Sequence, residues 1–267
     1  MPQSAITQRM QFYLDNEQDE RFRSDLLAVI QKDDTEELED RFYTDLEFGT
    51  AGMRGIIGGG LNRMNPFVVQ LVTQGIANYL AGLGVEGGAS VVIAYDSRNY
   101  SEDFARAAAE VFCGNGIQVM LYDSLRPVPL LSYAVRRLHA TAGIVITASH
   151  NPPQYNGYKV YWDNGGQIIA PHDARIIDEV EKLQQNPVIL RVPLDEAMSR
   201  GTFRWLGPDD DEPYYDAVIS RLYHKSLFQD RELQARCRVL YTPIHGSGNI
   251  PVRKICERLH FPLDMLA

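Results

Sequence analysis

Apolar residues along the chain change their spacing several times, and each spacing predicts a different element. Residues 90–96, 117–122 and 143–147 are short β-branched runs with the length of buried strands. Between them, residues 101–114 and 130–138 show helical spacing. This alternation predicts an α/β fold, with a mixed, largely parallel sheet flanked by helices and joined by right-handed crossovers.

Two further segments have the periodicity of helices. Asn65 and Pro66 predict a helix start, because asparagine is a good N-cap and proline fits the first turn. Residues 4–31 have amphipathic spacing, either as one helix or as two separated near Asn16. We interpret residues 1–45 as a helical arm that packs on the first domain. A membrane-surface helix is the alternative, but its polar face is acidic and would be repelled by anionic lipid.

Polarity and repetition along the chain suggest its domain organisation. Residues 46–190 form the predicted first domain, and residues 191–200 fall in a polar, irregular stretch that we interpret as a linker. Residues 201–267 are predicted to form part of a second α/β domain. Their strand–loop–helix order, over residues 238–259, loosely repeats that of residues 90–114.

Composition and charge exclude several classes of protein. The 267 residues are 45% apolar and 23% charged, as in soluble globular proteins, with a net charge of −9. Residues 1–45 carry −7 of this charge, and nothing in the chain forms a basic patch interleaved with aromatics, so nucleic acid is a poor partner. No apolar run approaches the ~20 residues that cross a bilayer, so we expect no membrane partner. Three widely spaced cysteines and the lack of a signal sequence predict a cytoplasmic protein.

The segment that carries the most chemical information is TASHNPPQYNGYK, residues 147–159. Its two consecutive prolines end the preceding strand, so Ser149 lies at a strand end on a constrained loop. Ligands of open α/β sheets gather at that end of the strands. Considered alone, the segment is about equally well explained as a turn whose hydroxyl satisfies local backbone groups.

The whole segment resembles the phosphoserine loop of the α-D-phosphohexomutases, the phosphoglucomutase and phosphomannomutase superfamily. A second segment, FGTAGMRG over residues 48–55, resembles the N-terminal FGT-(S/A)-G-x-R-G segment of the phosphoglucomutases. The resemblance implies that Ser149 carries a phosphoryl group and that Arg54 faces it. A guanidinium suits this role because its planar fork binds phosphate and stays protonated.

The resemblance also implies a set of site residues. Ser149, His150 and Lys159 are the predicted catalytic residues, with Lys159 as the general base or acid at the sugar hydroxyl. Arg54, Thr50 and Asn151 are the predicted phosphate-binding residues. Mg²⁺ is the implied cofactor, bound to Ser149 through its phosphate, and glucose 1,6-bisphosphate is the implied intermediate and activator.

The implied reaction interconverts a hexose 1-phosphate and a hexose 6-phosphate, so small sugar phosphates are the expected partners. The metal loop D-G-D-x-D-R and the sugar- and phosphate-binding loops of the family's later domains do not occur in these residues. We therefore expect a fragment whose missing partner is the C-terminal half of the same protein, and which has no turnover by itself. Phosphopentomutase activity and a non-catalytic sugar-phosphate-binding domain are the alternatives.

Three other motifs carry weaker predictions. Asp96-Ser97-Arg98 matches a D-x-R segment of the family, but a turn-stabilising ion pair explains it more economically. His245, in TPIHGSG, matches the start of the family's second domain and is taken as positional support. The acidic run at residues 209–212 could be imagined as a metal cluster, but a solvated turn and helix start is the favoured interpretation.

Overall fold

A computed structural model describes residues 3–50 and 52–266 of the chain. Ala51, within the FGTAGMRG segment, lies outside the described residues, as do the first two residues of the predicted arm and the last residue of the predicted second unit. The helices are α1 (Gln3–Asn16), α2 (Glu20–Gln31), α3 (Thr35–Phe42), α4 (Pro66–Gly82), α5 (Ser101–Gly114), α6 (Val128–Arg137), α7 (His172–Gln185), α8 (Leu194–Ser199), α9 (Pro208–Ser220), α10 (Arg231–Arg236) and α11 (Asn249–Arg258). The strands are β1 (Phe48–Gly49), β2 (Gly52–Ile56), β3 (Ser90–Tyr95), β4 (Gln118–Tyr122), β5 (Ala142–Ile146), β6 (Tyr155–Trp162), β7 (Phe203–Leu206), β8 (Val239–Tyr241) and β9 (Leu263–Met265).

Seven of these strands form one sheet in the order β1-β2-β6-β5-β3-β4-β7. Strands β5, β3, β4 and β7 run parallel to one another, whereas β6, β2 and β1 are added in antiparallel fashion. The predicted α/β fold with a mixed, largely parallel sheet is therefore confirmed.

The sheet is buried on both faces, which explains the continuous apolar runs of its central strands. In β3, Val91 and Ile93 pack in the core shared with α4 and α5, whereas Val92 and Ala94 pack against α6 on the other face. Helices α5 and α6 thus cross the sheet on opposite faces, one between β3 and β4 and the other between β4 and β5. This arrangement brings the carboxyl ends of β3 and β5, which are neighbours, to the same edge.

The N-terminal arm is three helices, with the predicted break near Asn16 falling between α1 and α2. The arm covers the glycine-rich turn at residues 58–60, whose glycines are buried. A Cβ on Gly59 would lie 2.4 Å from the carbonyl oxygen of Phe22, and the Gly59 amide donates to Asp25 at 2.8 Å. These glycines therefore permit close packing of the arm. The group that the Gly59 amide contacts is the carboxylate of Asp25, which belongs to the arm.

The predicted domain boundary is wrong at one point. Residues 191–200, expected as a linker, include α8, and β7 at Phe203–Leu206 pairs in parallel with β4. The first sheet thus extends beyond residue 201, where a second unit was expected to begin. Sequence periodicity could not show this, because strand pairing between segments 80 residues apart is set by tertiary contacts.

A smaller unit follows α9, with β8 and β9 parallel and joined through α11. Helix α9 is fastened to the first sheet by Arg126, which donates from Nε to Asp211 at 2.8 Å, with both side chains 1% exposed. Arg258 of α11 forms ion pairs with Glu212 and Asp216 of α9. Helix α9 therefore links the two parts of the chain.

No helix in the described ranges is long and apolar enough to span a membrane. All three cysteines are free thiols, and burial raises the pKa of Cys113 to about 11. Cys113 is buried, whereas Cys237 and Cys256 are half-buried.

Candidate active site

A cleft of about 970 Å³ opens at the carboxyl edge of the parallel strands. It is bounded by the turns that follow β3 and β5, by the start of α6, and by the loop at residues 244–247 of the second unit. Asp96 and Thr147 begin the first two turns at matching positions, since Tyr95 and Ile146 are paired at the strand ends. The cleft therefore lies where open α/β sheets bind ligands.

Ser149 is exposed in this cleft and has a left-handed backbone conformation, with φ of 57°. Residues other than glycine adopt this conformation only at a cost in energy, because of their Cβ atom. The Ser149 amide donates to Thr147 Oγ1 at 3.0 Å, and its Oγ lies 3.3 Å from His150 Nδ1. The hydroxyl is thus presented to solvent on a tight turn, with an imidazole within reach of its proton.

Arg54 is joined to the serine loop through Asn151. Its Nη1 donates to Asn151 Oδ1 at 2.9 Å, and its side chain is exposed. Among the residues that the structure describes, this amide oxygen is the acceptor of the Arg54 guanidinium, and Arg54 forms no ion pair with a carboxylate. Arg54 and Asn151, both predicted to bind phosphate, therefore lie together beside Ser149.

Lys159 shares a face of the sheet with Arg54. Arg54 pairs with Gly157 across β2 and β6, and Lys159 is two residues further along the same strand. Burial lowers the pKa of Lys159, Arg54 lowers it further, and Asp96 opposes both effects. The lowered pKa makes the neutral amine of Lys159 easier to form, which is the direction that the predicted role as a general base requires.

Two glycines allow these strands to approach each other. A Cβ on Gly157 would lie 2.7 Å from the carbonyl oxygen of Thr147 and 2.9 Å from that of Met53. A Cβ on Gly52, whose φ is +90°, would lie 2.1 Å from the Tyr158 carbonyl oxygen. The glycines of FGTAG and NGYK thus bring Arg54, Lys159 and the serine loop together.

Thr50 lines a different concavity from Ser149. It is exposed in the turn between β1 and β2, and with Arg54 it lines a second concavity of about 480 Å³. Of the predicted site residues, Ser149, His150 and Asn151 line the cleft, whereas Thr50, Arg54 and Lys159 do not. Arg54 is therefore the connection between Thr50 and the serine loop.

One residue that the sequence did not assign to the site, Arg98, dominates the contacts of the serine loop. Its guanidinium donates to the backbone carbonyls of Ser149 and Asn151 at 2.7 and 2.6 Å. It also donates to those of Pro152 and Tyr155, each at 3.0 Å. The D-x-R motif was the available signal, but its partners lie more than 50 residues away. The predicted ion pair with Asp96 is present at 3.5 Å and is the weaker part of its contacts.

Metal-binding potential is limited in this cleft. Within residues 3–50 and 52–266, no group of three or more His, Cys, Asp and Glu side chains is arranged to hold a metal ion. Carboxylate oxygens are the ligands that Mg²⁺ prefers. The described residues therefore do not fit Mg²⁺ by themselves, and we assign it no step.

Comparison with known proteins agrees with this geometry. Residues 45–187 match the family described as phosphoglucomutase/phosphomannomutase, alpha/beta/alpha domain I. The chain belongs to this family. The matched range ends before α8 and β7, and it contains Arg54, the serine loop and Lys159.

Individual members of the phosphoglucomutase/phosphomannomutase family show how much of a relative the chain covers. It is 38% identical to a phosphoglucomutase from Staphylococcus haemolyticus (strain JCSC1435) over 224 residues, 84% of this chain and 39% of the relative. It is 36% identical to a phosphopentomutase from Homo sapiens over 234 residues, 83% of this chain and 36% of the relative. A crystal structure of a phosphomannomutase candidate from Thermus thermophilus superposes with a TM-score of 0.67 at 29% identity, covering 84% of this chain and 46% of that one. The chain thus spans less than half the length of these relatives.

Proposed function

We propose that this chain is the phosphoryl-carrying part of a sugar-phosphate mutase. Phosphorylated Ser149 passes its phosphoryl group to the free hydroxyl of a sugar monophosphate, and Ser149 Oγ then takes the other phosphoryl group from the bisphosphate so formed. The observation that carries the proposal is an exposed serine hydroxyl on a loop that Arg54 contacts through Asn151, with Lys159 beside Arg54 on the same face of the sheet. Family membership supports the same reaction class.

Each group has a defined part in the transfer. When the phosphoserine reacts, its Oγ–P bond breaks and a bond forms between phosphorus and a sugar hydroxyl oxygen. Lys159 accepts the proton of that hydroxyl, which the lowered pKa favours. Ser149 Oγ leaves with the electron pair and is protonated, with His150 Nδ1 as the neighbouring donor. Arg54 stabilises the charge on the phosphoryl oxygens.

Both hexose and pentose phosphates are candidate substrates. The relatives include a phosphoglucomutase and a phosphopentomutase at similar identity. The cleft of about 970 Å³ accommodates either sugar. The proposal also includes a cytoplasmic location, in which free thiols persist. It also includes Mg²⁺, which would need ligands in addition to the described residues.

The test is phosphoryl transfer to the intact chain. The chain is incubated with Mg²⁺ and either glucose 1,6-bisphosphate or ribose 1,5-bisphosphate, and its mass is followed with time. We expect the mass to increase by one phosphoryl group with at least one donor, and no increase for Ser149→Ala. The faster donor identifies the sugar class. Binding of sugar phosphate without any mass increase would instead support a non-catalytic binding domain.

The same incubation measures turnover. Conversion of glucose 1-phosphate to glucose 6-phosphate is followed in parallel, with ribose 1-phosphate as the pentose counterpart. We expect phosphorylation of the chain without sustained conversion of either sugar. Sustained conversion would show that these 267 residues suffice for the complete reaction.

A further inference from the structure

Arg98 holds the serine loop by its backbone. Four carbonyl oxygens of the loop, those of Ser149, Asn151, Pro152 and Tyr155, accept hydrogen bonds from its two terminal nitrogens at 2.6–3.0 Å. Its Nε faces Asp96 Oδ2 at 3.5 Å. Four of the five N–H donors of the guanidinium are therefore used in hydrogen bonds to the loop, and the fifth, on Nε, lies beside the Asp96 carboxylate.

The guanidinium is itself fixed in place. The Arg98 amide donates to Asp96 Oδ1 at 3.0 Å, and Ser101 Oγ donates to the same oxygen at 2.8 Å. Asn156 Nδ2 closes the network by donating to Ser101 Oγ at 2.9 Å. The side chains of Arg98 and Asp96 are 12% and 15% exposed. Arg98 thus connects the turn after β3 to the loop after β5 without offering a free donor to a ligand, in contrast to Arg54.

Ser149 needs such an external constraint. A residue other than glycine with φ of 57° costs of the order of 1 kcal/mol, and such conformations persist only where the surroundings enforce them. Within the loop itself, the amides of Ser149 and Asn151 donate to Thr147 Oγ1 and the Ala148 carbonyl. Arg98 contributes the contacts that bind the loop on the carbonyl side of Ser149.

We propose that Arg98 is a positioning residue that holds Ser149 in its left-handed conformation and so sets the direction of the hydroxyl that receives the phosphoryl group. The conformational part of the proposal stands on geometry alone. The consequence for phosphoryl transfer rests on the proposed function. Lysine cannot replace arginine here, because an ammonium has three donors and no planar fork.

A double-mutant cycle in urea unfolding tests the conformational part. Ser149→Gly removes the cost of the left-handed conformation, so we expect it to raise the folding equilibrium constant about fivefold in the native sequence. In the Arg98→Lys background, the loop relaxes and the same substitution gives no gain. Arg200→Lys, at an exposed residue that directly follows α8 and pairs with Glu196, is the matched control, in which the fivefold gain persists. An equal gain in the Arg98→Lys and native backgrounds overturns the proposal.

A kinetic measurement covers the case in which Arg98→Lys is too unstable for the cycle. With Arg98→Gln as the second variant, the rate of Ser149 phosphorylation at saturating donor should fall at least tenfold. The donor concentration at half-maximal rate should stay within twofold, because Arg54 still binds phosphate. An unchanged saturating rate refutes the positioning role. If the native chain takes up no phosphate, the proposed function fails, and the unfolding cycle still decides the conformational proposal.

Discussion

At the scale of single residues, the site combines groups that are unfavourable in isolation. Lys159 is half-buried beside Arg54, and Ser149 has a backbone conformation that few side chains adopt. Each arrangement costs stability and serves the proposed chemistry, as is common at functional sites. The sequence predicted Ser149 and Lys159 through their motif, but it could not show the conformation of the first or the surroundings of the second.

Replacement of Lys159 tests this balance through pH. Burial and Arg54 lower the pKa of Lys159 below its unfolded value of 10.5, so the unfolded chain binds this proton more tightly. The lysine therefore destabilises the fold at neutral pH, and that cost disappears as pH rises from the folded toward the unfolded pKa. We expect Lys159→Met to be more stable than the native chain at pH 7 in thermal unfolding. The difference should diminish with increasing pH toward that unfolded value.

The control is Lys182→Met, because the Lys182 side chain on α7 is 67% exposed and pairs with Glu179. It should show no such pH-dependent gain. A loss of stability in Lys159→Met at pH 7 would mean that Lys159 is held by attractive contacts and that its charge is not a cost.

At the scale of elements, the sequence predicted the features that neighbouring residues determine, namely the helix cap of α4 and the buried strands. Asn65 caps α4 as expected, accepting from the Val68 amide at 3.0 Å. The strands at residues 90–96, 117–122 and 143–147 were predicted because continuous apolar runs mark strands buried on both faces. The pairing of β7 with β4 and the contacts of Arg98 were missed, since both join segments more than 50 residues apart.

The cap of α4 also fixes the glycine-rich turn. Asn65 Nδ2 donates to the carbonyls of Gly58 and Gly60 at 3.0 and 2.7 Å, and the side chain is fully buried. We expect Asn65→Ala to lower the free energy of unfolding by about 3 kcal/mol, from the lost cap and the unsatisfied carbonyls. Urea unfolding measures this loss. Asp34→Ala, at the exposed cap of α3, should cost about 1 kcal/mol or less, and equal losses would contradict the account.

At the scale of the whole molecule, the described residues form a seven-stranded mixed sheet with a smaller unit attached. Helix α9 joins the sheet through the buried pair of Arg126 and Asp211, and it joins the smaller unit through the pair of Asp216 and Arg258. Ser97 Oγ donates to the carbonyl of His245, so the second unit also borders the cleft. The alternation of elements predicted the parallel sheet, but it did not predict that β7 extends this sheet, because a four-residue strand carries little periodicity.

The central claim is that Ser149 carries the phosphoryl group, and the most direct measurement is the site of modification. The chain is incubated with a sugar bisphosphate and Mg²⁺, digested, and sequenced by tandem mass spectrometry. We predict phosphate on Ser149, with its yield strongly reduced in Arg54→Gln. Phosphate on Ser97, Thr147 or Thr50 in place of Ser149, or none on any residue, would contradict the account.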